Sequence, residues 1–226
     1  VGDFIEDFKF VFLEGNRWKF MLDGLKVTIG VSVASVFVGL ALGLILAIMK
    51  MTAVKKNRRT VLSVIANTYI DIIRGTPSIL QLLIMYFVVF RSRMGIVAAI
   101  ISFGMNSAAY VAENIRAGIM AVDQGQMEGG RSLGLSYGIT MRYIIIPQAV
   151  KNILPALGNE FILLIKETSI LGYIAIYDLT KAANYITSRT YKMFLPLIGA
   201  AVIYYVITKI LSIGLAKFER RLRESD

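Results

Sequence analysis

From Val27 to Met49 the chain runs without a single charged side chain. A helix rising about 1.5 Å per residue needs about 20 residues to cross the ~30 Å hydrocarbon core of a bilayer, and this run is longer than that. Hydrocarbon offers no water to unpaired N–H and C=O groups, so a lone segment of this length crosses only as a helix that bonds its own backbone. The run therefore predicts an all-α membrane protein. Composition agrees: 56% of residues are hydrophobic and 18% charged, against about 45–50% and about 25% in a soluble domain.

Ile96 to Ala112 gives a second uncharged run, and Met193 to Ala216 a third that is interrupted only by Lys209, close enough to an end to snorkel. Two further stretches are apolar but broken. Val61 to Phe90 contains "DIIRGTP" (71 to 77), and Gln148 to Glu167 contains Glu160 and Lys166. Both are too long and too apolar for loops, so the count is five transmembrane helices in a single domain over 1–226, multi-pass in the inner or plasma membrane. The opening segment, 1–23, carries Asp3, Glu6, Asp7, Lys9, Glu14, Arg17, Lys19 and Asp23. These predict an amphipathic segment rather than a cleavable signal.

Lys and Arg number twelve in segments 50–60, 116–142 and 217–223 and eight in 1–23, 91–95 and 178–192. The short segment "KMTAVKKNRR" (50 to 59) decides the orientation, because an excess of Lys and Arg in short loops marks the cytoplasmic side. The N-terminus is then outside and the C-terminus inside. The same rule accounts for the net charge of +10 without any nucleic acid partner; membrane lipid is the expected surrounding.

With no cysteine and no histidine, disulfides, Cys/His nucleophiles and the usual zinc sites are excluded, and no metal site is expected. An intramembrane hydrolase would need paired aspartates, yet Asp71 is the only aspartate well inside a span. There is no G-x-x-x-x-G-K-[ST] and no Gly-Lys pair anywhere, so no P-loop cradles phosphates. The chain is expected to hold no cofactor and to perform no covalent catalysis. Energy comes from an ATP-binding partner or an ion gradient. The gradient-driven alternative, a secondary transporter or channel, usually rests on duplicated halves, and no repeat is visible.

"EGGRSLGLSYGITMRYIIIP" (128 to 147) lies on the cytoplasmic side in this topology. Taken alone it reads either as a glycine-rich interfacial loop or as a docking element in which small residues let a partner backbone approach. Its order, Glu128-Gly129-Gly130, then Gly134 after Leu133, then Ile144, Ile146 and Pro147, resembles the EAA loop of ABC-transporter permeases. Glycines stand where that loop carries alanines, and Ile146 where leucine is usual. Upstream, "DIIRGTP" and "AAYVAENIRAGIMAVDQGQMEGGRSLG", and downstream, "IPQAVKNILPALGNEFILLIKETSILGYI", are similar to the permeases of polar amino acid ABC importers. The resemblance implies that a coupling loop at about 123–147 docks on an ATPase subunit through Glu128, Gly129, Gly130, Arg131, Leu133 and Gly134. It also implies a second permease, a copy or a paralogue, two ABC ATPase subunits that bind the ATP, and an extracytoplasmic amino-acid-binding protein.

Polar groups within spans are costly and mark function by default. Asp71 and Arg74 lie three residues apart on one helical face, as do Glu113 and Arg116, and both pairs read as structural ion pairs. Lys166 and Glu167 read as snorkelling or pairing. In "RGTPSILQ" (74 to 81), Gly75 and Pro77 interrupt the second span, and the half-helix resuming at Pro77 presents backbone N–H groups that suit an anionic carboxylate, with a proline kink as the alternative. Gln81 lies about one turn further along. Glu160, counted along the helix from Pro147, stands beyond the midplane with no basic residue within a turn on its own helix. It binds substrate, is protonated, or pairs with Arg74. With Asn159 beside it and Ser102, Gln81 and Thr168 as polar neighbours, the expected cargo is a basic amino acid: arginine, lysine or histidine. "GLALG" (39 to 43) allows close packing against a helix it does not identify.

Overall fold

The computed structural model describes residues 2–56 and 59–224; Arg58 of the basic 50–59 run lies outside them. Ten α-helices follow in order: α1 Gly2–Phe8, α2 Trp18–Lys56, α3 Val61–Arg74, α4 Ser78–Leu83, α5 Gly95–Met120, α6 Gln124–Ser132, α7 Tyr137–Thr140, α8 Ile146–Glu167, α9 Leu179–Thr190 and α10 Phe194–Arg223. Among the described residues there is no strand. The left-handed residues Gly15 (φ 60°) and Asn16 (φ 54°) separate α2 from the N-terminal segment. Glycine and asparagine are the types that adopt this conformation most readily.

Among the described residues, three helices are long and apolar enough to cross a membrane: Trp18–Ala53 within α2, Gly95–Met120, and Phe194–Leu222 within α10. The pair Val61–Arg74 and Ser78–Val89 qualifies together as one broken span, bent by 103°. The fifth expected span does not meet that standard. α8 has the length, 22 residues, but Lys151, Glu160, Lys166 and Glu167 dilute its apolar character. α8 also carries Pro155 in its interior, where a proline removes one backbone bond.

The chain forms two compact units. One takes the chain up to Val36 together with Pro77–Phe103 and Ile162–Leu211; the other takes Phe37–Thr76, Gly104–Phe161 and the chain from Ser212 on. In the first, Val11 and Met21 pack with Leu179, Ala182 and Ile186 of α9 and with Leu195 and Ala200 of α10. A second cluster gathers Val31, Leu82, Ala99, Phe103, Leu164 and Leu171. Fully buried Asp178 starts α9 by accepting from the N–H groups of Thr180 at 2.9 Å and Lys181 at 3.1 Å. Gly24 permits the approach of α2 to this cap, since a Cβ there would stand 2.6 Å from the Asp178 carbonyl oxygen.

In the second unit, Leu46 and Ala47 of α2, Ala66 and Ile70 of α3, and Ala108, Ala109 and Ala112 of α5 form one core. "GLALG" here finds its partner, α5. A Cβ on Gly39 would lie 2.8 Å from Ser107 Oγ, and one on Gly43 2.5 Å from Val111 Cγ1. Small residues on both helices allow this approach, which replaces hydrophobic drive with dispersion contact in a membrane. Tyr69 of α3 adds a hydrogen bond, donating to the Met105 carbonyl at 2.8 Å.

Candidate functional site

The loop at 123–147 folds into two short helices and a π-helical turn. The Asp123 carboxylate caps α6, accepting from the Gly125 N–H at 2.6 Å. α6 ends at Leu133, and Gly134 follows with φ +82°. The Gly134 N–H donates to the Arg131 carbonyl at 3.0 Å and the Leu135 N–H to the Gly130 carbonyl at 3.1 Å. This pair of bonds is a Schellman closure, which needs a left-handed residue just beyond the helix and therefore favours glycine. Gly134 accordingly terminates α6. Ser136 then caps α7, accepting from the Ile139 N–H at 3.3 Å, and Met141–Ile145 continues as π-helix into α8. Pro147 is the second residue of α8.

Of the six candidate coupling residues, Gly130 is buried and the other five are exposed. Its burial marks the crossing of α6 and α7: a Cβ on Gly130 would stand 2.6 Å from Thr140 Cγ2 and 3.0 Å from its Oγ1, whereas one on Gly129 meets nothing within 4 Å. Val122, Ile145 and Ala149 form the small core beneath, with Met127 and Met141 packed on it. Leu133 projects outward at 83% exposure.

At the broken span, the Gly75 N–H donates to the Asp71 carbonyl at 2.9 Å and the Thr76 hydroxyl to the Ile72 carbonyl at 2.9 Å. Pro77 is the N-cap of α4, and its carbonyl accepts from the N–H groups of Leu80 at 3.0 Å and Gln81 at 3.3 Å. The N–H groups of Ser78 and Ile79 therefore head the segment without an intrahelical acceptor.

The candidate substrate residues divide between the two units. Pro77, Gln81, Ser102 and Thr168 belong to the first, Asn159 and Glu160 to the second. Ser102 is buried on α5, and Thr168, also buried, donates its hydroxyl to the Ile165 carbonyl at 2.7 Å. Glu160 is buried at 7% exposure, while Asn159 is exposed and donates to the Pro155 carbonyl at 3.2 Å. Successive helical residues do not share a face, so Asn159 does not extend the surface that Glu160 presents.

The expected Asp71–Arg74 pair does not form. The Arg74 guanidinium lies over the Tyr110 ring, 5.2 Å from its centroid, a cation–π contact that competes with an exposed ion pair worth little. At the other spacing, Arg116 Nε donates to Glu113 Oε2 at 3.1 Å. The Glu113 carboxylate also accepts from Lys50 of α2. Lys50 stands 63 residues away in the chain, and no local pattern announces it.

Residues 39–224 match the family described as the inner membrane component of binding-protein-dependent transport systems. The chain is 40% identical over 212 residues to the arginine transport system permease protein ArtQ of Bacillus subtilis, covering 92% of this chain and 94% of that protein. It is 39% identical over 207 residues to the putative glutamine transport system permease protein GlnP of Rickettsia typhi, covering 90% and 93%. Among solved structures, the crystal structure of an amino acid ABC transporter with histidines superposes with a TM-score of 0.85 at 44% identity, covering 93% of this chain and 98% of that one.

Proposed function

We propose that this chain, which belongs to the inner membrane components of binding-protein-dependent transport systems as an ABC permease subunit of the amino acid group, moves a basic amino acid inward through a dimer of permeases. Membership in this family displaces the gradient-driven alternative. Two ATPase subunits inside bind and hydrolyse ATP, an extracytoplasmic binding protein delivers the cargo, and the second permease is another copy or a paralogue. The permease itself makes and breaks no covalent bond.

The observation that carries the cargo reading is Glu160, a carboxylate at 7% exposure on α8. A buried carboxylate can match the cation that a basic amino acid brings in its side chain. Two similar proteins support a basic cargo: ArtQ, named for arginine, and the transporter crystallised with histidines. Glutamine is the second reading, favoured by the relatives named for it.

In this proposal the membrane topology is five spans with the N-terminus outside and the C-terminus inside, with α8 as a span lining the path and its charges turned away from lipid. The segment 123–147 is the coupling loop. ATP closes the ATPase pair, α6 follows, and the spans switch access from outside to inside. Proteoliposomes holding the permease without an ATPase subunit should show no uptake of labelled arginine above background, with or without a sodium or proton gradient. Gradient-dependent uptake in that preparation would contradict the proposal.

A further inference from the structure

We infer that Glu113 clamps the ends of α2 and α5 that adjoin the coupling loop into one moving body, so that displacement of α6 reaches both spans. The inference rests on the coupling-loop reading above. It concerns how the motion travels, and it gives Lys50 a role as the clamp's second jaw.

The geometry is a carboxylate shared between two helices. One Glu113 oxygen accepts from Lys50 of α2 and the other from Arg116 of α5, at 3.1 Å. Lys50 and Glu113 side chains are 13% and 21% exposed, so water screens this pair far less than a surface pair. Arg116 also reaches the Met120 sulfur at 2.8 Å. Met120 closes α5, and three residues later Asp123 caps α6. A continuous line of contacts thus runs from α2 through Glu113 and Arg116 to the residue where the coupling loop begins.

The second side of the clamp is equally short. Beyond Lys50, the Thr52 hydroxyl meets the Thr60 hydroxyl at 2.5 Å. Thr60 caps α3, accepting from the Ser63 N–H at 3.1 Å while the Ser63 hydroxyl accepts from the Thr60 N–H at 3.0 Å. Whatever moves α5 at Glu113 therefore moves the start of the broken span as well. Tight packing of Gly43 on Val111 fixes the distance between α2 and α5 but leaves sliding along the contact free. An ion pair with defined partners resists that sliding.

Lys50→Cys together with Glu113→Cys tests this directly, because the chain has no cysteine of its own. The assembled complex with its ATPase and binding protein is reconstituted, and labelled arginine and glutamine carried per ATP hydrolysed are measured. With the two thiols reduced, the ratio should fall by about 5–150-fold, the range usual for coupling between sites. A reversible bis-thiosulfonate cross-linker long enough to replace the ion pair should restore it to within about twofold of the parent. Lys50→Met should uncouple like the reduced pair. A cross-linked complex that stays uncoupled or is blocked overturns the clamp, as does a reduced complex, or Lys50→Met, that couples like the parent. Absence of ATP-driven uptake by the parent complex would instead count against the permease mechanism itself.

Discussion

Glu160→Gln lowers arginine uptake by the assembled transporter roughly 30-fold or more, because truncating one partner of a desolvated charge pair costs about 2–5 kcal/mol. Glutamine keeps the shape of the side chain and removes only its charge, so assembly with the ATPase and basal ATP hydrolysis should stay near the parent. The measurement is labelled arginine uptake beside arginine-stimulated ATP hydrolysis, with complex yield as the control. Asn159→Ala should change uptake little, since the Asn159 amide is already spent on the Pro155 carbonyl at 3.2 Å and points away from the face that buries Glu160. A Glu160→Gln transporter that carries basic amino acids as well as the parent would remove Glu160 from the site.

The second large effect is expected in the coupling loop, where two neighbouring glycines should behave in opposite ways. Gly130→Ala puts a methyl group 2.6 Å from Thr140 Cγ2. Thr140 is fully buried and donates its hydroxyl to the Ser136 carbonyl at 3.1 Å, so it cannot turn aside cheaply. Overpacking of this kind costs about 1–3 kcal/mol, and it would displace α6 from α7 at the proposed point of coupling. Substrate-stimulated ATP hydrolysis and uptake should both fall about tenfold. Gly129→Ala meets nothing within 4 Å and gains about 1 kcal/mol of helix propensity; its coupling should equal or exceed the parent's. Equal loss in both variants would mean that the loop needs glycine flexibility, not the close crossing.

Much of this arrangement is legible in the chain. The uncharged run from Val27 to Met49 admits one backbone solution in hydrocarbon, and it lies within α2. "RGTP" announces a break because proline disfavours helix in the residue before it, and the helices part there by 103°. The Leu133-Gly134 pair carries the signature of a helix C-terminus, a glycine just past the last helical turn. Other features have no local trace. Lys50 meets Glu113 across 63 residues, and Arg74 prefers the Tyr110 face to Asp71 because tertiary packing puts an aromatic ring within its reach. α8 is ambiguous for a physical reason: the charges that would suit a helix lining a polar path also lower the apolar content by which a span is recognised.

Cargo is where the chain is least explicit, since similar proteins are named for arginine and for glutamine, and one carboxylate carries the distinction. The direct measurement is competition between the two in proteoliposomes that hold this permease, its ATPase subunits and its binding protein, with ATP inside the ATPase-facing compartment. The expected result is ATP-dependent accumulation of labelled arginine that excess lysine or histidine suppresses and excess glutamine does not. Preferential accumulation of glutamine, or arginine uptake that persists without ATP, would contradict it.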